Sequence, residues 1–378
     1  MADRVFRQGS AQSLRTDYPL IFNRSCLENI RIVRCAETIA CEIPVAPREF
    51  IVGSDTVRIG IIGPTATHPE HRHRGFATRC LEDCINLMRQ QSLVLSVLWT
   101  VPSTFPFYQR MGWHPVASQG WMYPLNPDDH VRFCGGEIEV VAFDPVCANH
   151  LGAIRAMHAM EPTRIRRSDD DNRKLFTLPR IRTLLALRNH EALAYLVAGE
   201  AANKSGLIEG GGDKEALGML IADVLRKGTQ RSALQAVVPF AASVFGELLE
   251  KRLGERRRPI EEATGVGYQM MRINSLEGFL NSIRGCLENC SARRQIELGC
   301  RETGECVTLT LDGRQTTITR GVAGSPLMLP QAELTSMFFG SHPAAAPAND
   351  RFDWPPAHAV PWENVLPDRF PIHELDHC

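Results

Sequence analysis

A chain of 378 residues is too long for one ordinary hydrophobic core and predicts two or three domains. With 44% apolar and 22% charged residues, and 42 basic against 43 acidic side chains, it reads as a globular protein whose net charge of −1 excludes a nucleic acid or an anionic membrane as first-choice partner. No run of eighteen apolar residues occurs and "MADRVFRQGSAQ" lacks the basic-then-apolar order of a secretory signal, so the expected location is cytoplasmic, with the twelve cysteines as reduced core thiols.

Residues 1–131 alternate strand-like and helix-like pieces. "NIRIVRC", "ETIACEIPVAPREFIV" and "VRIGIIGPTATHP" are strands, "RGFATRCLEDCINLMRQQ" a helix and "LVLSVLW" a returning strand, which predicts a mixed sheet in an α/β domain closed by the polar turn "LNPDDH". Residues 132–270 repeat the rhythm. "IEVVAFD" is a strand, "NHLGAIRAMHAM" a helix, "RIRRSDDDNRK" a solvated polar break, "LPRIRTLLALR" a helix, "ALAYLVAGEA" and "SGLIEGGG" strands, and "EALGMLIADVLRK" a helix.

Residues 271–378 read as a small α+β cap. "MMRINSLEGFLNSIRGCL" is a strand leading into a helix, "QIELGC", "CVTLTLDG" and "RQTTITRG" are short strands, and "PQAELTSMFFG" is a helix before a Pro- and Ala-rich stretch. Cys286, Cys290, Cys300 and Cys306 could supply four thiolates, but Cys286 and Cys290 share one face of a helical stretch instead of a tight knuckle, so no metal is expected. The ending "HELDHC" fits H-E-x-x-H at His373 and His377, yet Pro371 lies just before it and the sequence stops one residue after, which leaves no room for a two-turn zinc-peptidase helix or a third ligand.

The chemistry is concentrated in "GIIGPTATHPEHRHRGFATRCLEDCINLM". A strand enters a loop holding Arg72, His73, Arg74 and Gly75, and a helix begins at once; its first turn has free N–H groups and partial positive charge, suited to phosphate. His68, His71 and His73 are spaced as ligands could be, but beside two arginines they are expected to be solvated loop residues. Neither a Walker loop nor a dinucleotide G-x-G-x-x-G is present. Arg72-x-x-Gly75-x-Ala77 instead fits the R/Q-x-x-G-x-G/A loop of the GCN5-related N-acetyltransferases, and about thirty residues on, Phe107-Tyr108-x-x-x-Gly112-Trp113 in "FPFYQRMGW" matches the second signature of that superfamily.

Over its full length the chain resembles the tripartite enhanced-intracellular-survival (Eis) type acetyltransferases: an acetyltransferase domain (1–131), a degenerate second domain of the same kind (132–270), and a cap like sterol carrier protein 2 (271–378). The resemblance implies that Thr65, Ala66 and Thr67 present backbone groups to the acetyl and pantetheine portion of acetyl-CoA. It further implies that Arg72, His73, Arg74, Gly75, Phe76 and Ala77 wrap the pyrophosphate and that Ser103 is a further cofactor contact. Tyr108 falls at the general-acid position, and the terminal carboxylate, here that of Cys378, is the implied base in the first domain's active site. A small, cationic amine acceptor and a homo-oligomer, by analogy a hexamer, are also implied. The competing expectations are an apolar-ligand binding protein with a vestigial transferase fold, and a transferase acting on protein lysines or N-termini.

Overall fold

A computed structural model gives the fold for residues 1–8, 13–116, 120–133, 135–201, 204–227, 234–239, 242–260, 267–288, 293–313, 315–340, 372 and 374–377. The chain forms two compact units, one from Met1–Ala11, Arg24–Ser118 and Gly267–Phe370, the other from Gln12–Asn23, Gln119–Val266 and Pro371–Cys378. Mixed sheets flanked by helices bear out the expected α/β class.

In the first unit the sheet runs in the order Ile30–Cys35, Thr38–Val52, Asp55–Ile62, Leu95–Thr100, Tyr268–Ile273, His114–Pro115. Tight turns at Ala36 and Gly53, with φ of 51° and 56°, join the first three strands as antiparallel neighbours. Asp55–Ile62 and Leu95–Thr100 are parallel, which obliges the chain to cross over between them, and the helix Phe76–Gln90 is that crossover. Its apolar stripe of Cys80, Leu81, Cys84, Ile85, Leu87 and Met88 recurs at helical spacing and packs on Cys41, Ile43 and Val45 of the sheet. Each large apolar side chain so buried contributes about 1.5–3 kcal/mol. A second, four-stranded sheet of Arg293–Cys300, Cys306–Asp312, Thr316–Arg320 and Leu327–Leu329 carries the α+β character expected after residue 271.

The second unit has one seven-stranded sheet in the order Arg258–Pro259, Gly120–Leu125, Leu234–Pro239, Lys204–Gly212, Glu191–Ala201, Ile181–Arg188, Glu139–Ala142. Lys204–Gly212 and Leu234–Pro239 are its parallel pair, with the helix Lys214–Lys227 between them in sequence, so the rhythm of the first unit does recur. Gly206, at φ +128°, lets the two strands approach: a Cβ there would lie 1.9 Å from the Gln235 carbonyl oxygen.

Three sequence expectations are corrected. "LPRIRTLLALR" is not a helix; Ile181–Arg188 is a strand paired on both edges, and Leu184, Leu185 and Ala186 are buried in succession, which removes the alternation that marks a half-exposed strand. "RIRRSDDDNRK" is not a solvated break, because Thr163–Ile165 is a strand and Asp169–Phe176 a helix opened by a reciprocal Ser168/Asp171 capping box. Arg167 within it is buried. The strands Gly120–Leu125 and Tyr268–Ile273 also pair across the expected segment limits, the first with Leu234–Pro239 and the second with Leu95–Thr100. Strand periodicity shows that a segment is extended but not which sheet accepts it.

Candidate active site

The parallel strands of the first unit part company. Ile59, Gly60 and Ile61 face Leu95, Ser96 and Val97, but further on Leu98, Trp99 and Thr100 pair with Met270, Gln269 and Tyr268, while Ala66 and Thr67 pair with Glu42 and Cys41. The facing edges beyond Ile61 and Val97 make no ladder pairs with each other among the described residues. Free main-chain donors and acceptors at the carboxyl ends of parallel strands are where ligands bind in α/β sheets. Thr65, Ala66 and Thr67 lie on one side of this opening, and Ser103, exposed in the turn Pro102–Thr104, follows the strand on the other.

The crossover helix begins beside the same opening. Gly75, its N-cap, has φ +77° and no side chain to close the first turn, and a Cβ there would meet nothing within 4 Å. Among the described residues no protein group accepts the Phe76 or Ala77 N–H, and both adjoin a loop where His73, at φ +59°, also adopts the left-handed region. Arg72 and Arg74 are exposed and have no carboxylate partner among the described residues, although Arg74 Nη1 lies 3.4 Å from His71 Nδ1. His68 caps the short turn before them by accepting the Glu70 N–H on Nδ1 at 3.4 Å, and His71 packs edge-on against Phe76. Among the described residues no group of three His, Cys, Asp or Glu side chains is placed to hold a metal.

The second unit supplies a control. There the equivalent helix Lys214–Lys227 starts directly after its strand, and Asp213 Oδ1 accepts from Glu215 N at 3.1 Å and Ala216 N at 2.9 Å. A carboxylate fills that first turn and repels phosphate, so of the two helix starts only Gly75 leaves its donors open.

Tyr108 sits on the short helix Phe105–Gln109 and is buried in the core cluster that contains Cys41, Cys80, Cys84 and Trp113. Burial pushes its phenol pKa up, the neighbouring Thr65 hydroxyl pulls it back, and Cys41 pushes it up again. The turn after it is held tightly: Met111 N–H and Trp113 N–H both donate to the Tyr108 carbonyl, at 3.0 and 3.1 Å. Trp113 is fully buried and donates from Nε1 to Ser96 Oγ at 3.0 Å.

Arg272 completes this support, and sequence reasoning missed it. From the strand Tyr268–Ile273 its Nε donates to the Met111 carbonyl at 3.1 Å, and its guanidinium lies 5.5 Å from the Trp113 ring centroid. Burial lowers its pKa to about 10, still charged at neutral pH. No local signal could have found it, since 160 residues separate it from Gly112. The thiols next to Tyr108 behave as the expected core cysteines. Thr67 Oγ1 donates to Cys41 Sγ at 3.5 Å, Cys80 Sγ donates to the Arg31 carbonyl at 3.3 Å, and Cys80, although Cys41 pulls its pKa down, is pushed up to about 12 by Cys84 and burial.

Of the remaining sequence candidates, Cys378, His373 and Cys290 lie outside the described residues. Glu374–His377 forms a single 3-10 turn with Asp376 bound to Arg167, not a zinc-peptidase helix.

Residues 2–116 match the family described as acetyltransferase (GNAT) domain. Among solved structures, a conserved protein of unknown function from Enterococcus faecalis V583, titled a probable N-acyltransferase, is similar with a TM-score of 0.63 at 17% identity, over 81% of this chain and 78% of that one. A GCN5-related N-acetyltransferase from Kribbella flavida gives 0.61 at 14% identity over 82% and 78%, and Eis1 from Mycobacterium abscessus gives 0.52 at 10% over 82% and 80%. At these identities the likeness is one of fold. No curated protein matches the chain.

Proposed function

From the GNAT-type acetyltransferase domain at residues 2–116, we propose that the chain moves an acetyl group from acetyl-CoA to the amine of a small, cationic acceptor, with Tyr108 as general acid and the Cys378 carboxylate as base. The observation that carries this reading is the convergence of three features in the first unit: strands that part after Ile61 and Val97, the open helix start at Gly75, and a buried Tyr108 beside Thr65. Acetyl-CoA fits these residues. The pyrophosphate belongs on the Phe76 and Ala77 N–H groups between Arg72 and Arg74, with His73 in the same loop, and the thioester belongs at the strand opening near Ala66, Thr67 and Ser103.

Acetyl transfer needs a free amine, donors for the developing oxyanion, and a proton for the departing thiolate. The Ala66 and Thr67 main chain supplies the second and the Tyr108 hydroxyl the third. For the first, a terminal carboxylate near pKa 3.5 and an ammonium near 9 are mismatched by about 5 units, or about 7 kcal/mol, so the carboxylate must be desolvated or act through a water. An anionic base also attracts cations, hence the preferred acceptor class.

The sterol-carrier-like character of 271–378, cytoplasmic residence and assembly as a homo-oligomer of hexamer type belong to the same proposal, each by analogy. The apolar-ligand reading gains no support from the cap, where Phe279, Phe338 and Phe339 are buried against one another with ring centroids 5.0–6.2 Å apart and so fill their own interior.

The test is acetyl-CoA turnover against a panel of amines; a protein that accepts only neutral or acidic compounds overturns the acceptor class. Arg72→Ala and Arg74→Ala should each weaken coenzyme A binding about tenfold or more in calorimetry, since a hydrogen bond to a charged group contributes about 1.5–3 kcal/mol. Equal loss for coenzyme A and for its dephosphorylated pantetheine fragment would contradict the pyrophosphate assignment.

A further inference from the structure

Arg167 lies in the second unit with its side chain 1% exposed, and its guanidinium is shared between two carboxylates. Nη1 and Nη2 donate to Glu209 Oε1 and Oε2 at 2.9 and 2.7 Å, and Nε and Nη2 donate to Asp376 Oδ1 and Oδ2 at 2.6 and 2.7 Å. Four of the five N–H bonds of the fork are thus engaged, in two bidentate pairs. Tyr195 fixes the Glu209 side of the arrangement, its hydroxyl donating to Oε1 at 2.9 Å.

Asp376 is 209 positions from Arg167 in sequence, and it comes from the last turn, Glu374–His377. That turn is also held by apolar contact: Leu375 is fully buried among Leu20, Ile154, Leu175, Phe176 and Tyr195, and Ile372 is buried as well. Apolar burial alone fixes depth but tolerates rotation and sliding. A planar fork bound on two edges fixes direction too.

We infer that Arg167, oriented by Glu209 and Tyr195, is the positioning residue for the turn Glu374–His377, and that this anchor at Asp376 is needed for turnover. This rests on the proposed role of the Cys378 carboxylate. The arrangement is also asymmetric in a useful way. Removing the aspartate leaves Arg167 paired with Glu209 and cuts the cluster's charge from one excess negative to zero, so the second unit keeps its core while the tail loses its anchor.

The experiment uses the full chain with Asp376→Ala, Asp376→Glu and deletion of Cys378. Amide exchange at 374–377 and trimming by carboxypeptidase should become about tenfold faster or more in Asp376→Ala, with amides of Lys204–Gly212 still protected. Its kcat should fall about 10- to 100-fold with KM for acetyl-CoA unchanged, the signature of a displaced reacting group, and Asp376→Glu should recover part of both losses. Wild-type exchange and trimming in Asp376→Ala overturns the inference, as does a released tail with undiminished kcat. Deletion of Cys378 separates the two ideas: if it lowers kcat while Asp376→Ala does not, the anchor fails and the base stands, and if it leaves kcat unchanged, the base itself fails.

Discussion

Tyr108→Phe should lower kcat about 100-fold or more while leaving KM for acetyl-CoA within a factor of about two, read from release of the coenzyme A thiol at saturating acceptor. The substitution removes one oxygen from a buried ring, and the turn behind it, held through main-chain bonds to the Tyr108 carbonyl and by Trp113 and Arg272, does not depend on that oxygen. A loss of rate would therefore report the proposed proton donor and not the fold. The raised phenol pKa has a definite consequence for pH dependence. A group whose pKa is higher in the folded protein keeps its proton to higher pH, so the donor stays competent up to and beyond the ordinary phenol value of about 10. Donation to a thiolate of pKa about 8.5 is uphill, a cost that burial of the phenol increases and the Thr65 hydroxyl reduces. A variant that turns over within a few-fold of wild type would remove Tyr108 from the mechanism.

What the sequence makes legible here is local. The strand, loop and helix of 57–90 can be read because the glycine, the arginines and the helical stripe are near neighbours, and a left-handed Gly75 that leaves the first turn open is a short-range property. The failures share one cause, which is that they depend on partners far along the chain. Ile181, Leu184, Leu185 and Leu187 are spaced as a helix face would be, and only strands on both edges, supplied by 139–142 and 191–201, make that run a central strand. Arg167 sits in a charge-dense run whose signs nearly cancel, a pattern that ordinarily faces water, and its burial is decided by Glu209 and Asp376. Arg272 could not be tied to the Gly112 turn for the same reason. The local geometry of contiguous residues is thus readable in advance, whereas the scaffolding around it comes from the tertiary fold.

Glu161 gives a stability effect of comparable size to the catalytic one. Its carboxyl is buried at 8% exposure, and burial is the chief reason that its pKa is pushed up to about 7. The Val244 N–H, at the start of the helix Val244–Leu253, and Arg164 oppose the shift, while Glu209 and Glu247 add to it. For an acid whose folded pKa is raised from 4.5 to about 7, the favourable contribution is complete below pH 4.5 and is lost as pH rises through 7. At 1.36 kcal/mol per unit, the full loss is about 3 kcal/mol, of which about 2 kcal/mol falls between pH 5.5 and 8. Glu161→Gln keeps an acceptor for the Val244 N–H but cannot ionise. It should therefore be more stable than wild type at pH 8 by about 2–3 kcal/mol, and its advantage should shrink by about 2 kcal/mol at pH 5.5, measured by urea unfolding at both pH values. Parallel pH profiles for the two proteins would mean that the Glu161 carboxylate is charged in the folded state without penalty, and that the acidic surplus around Glu209 is neutralised elsewhere.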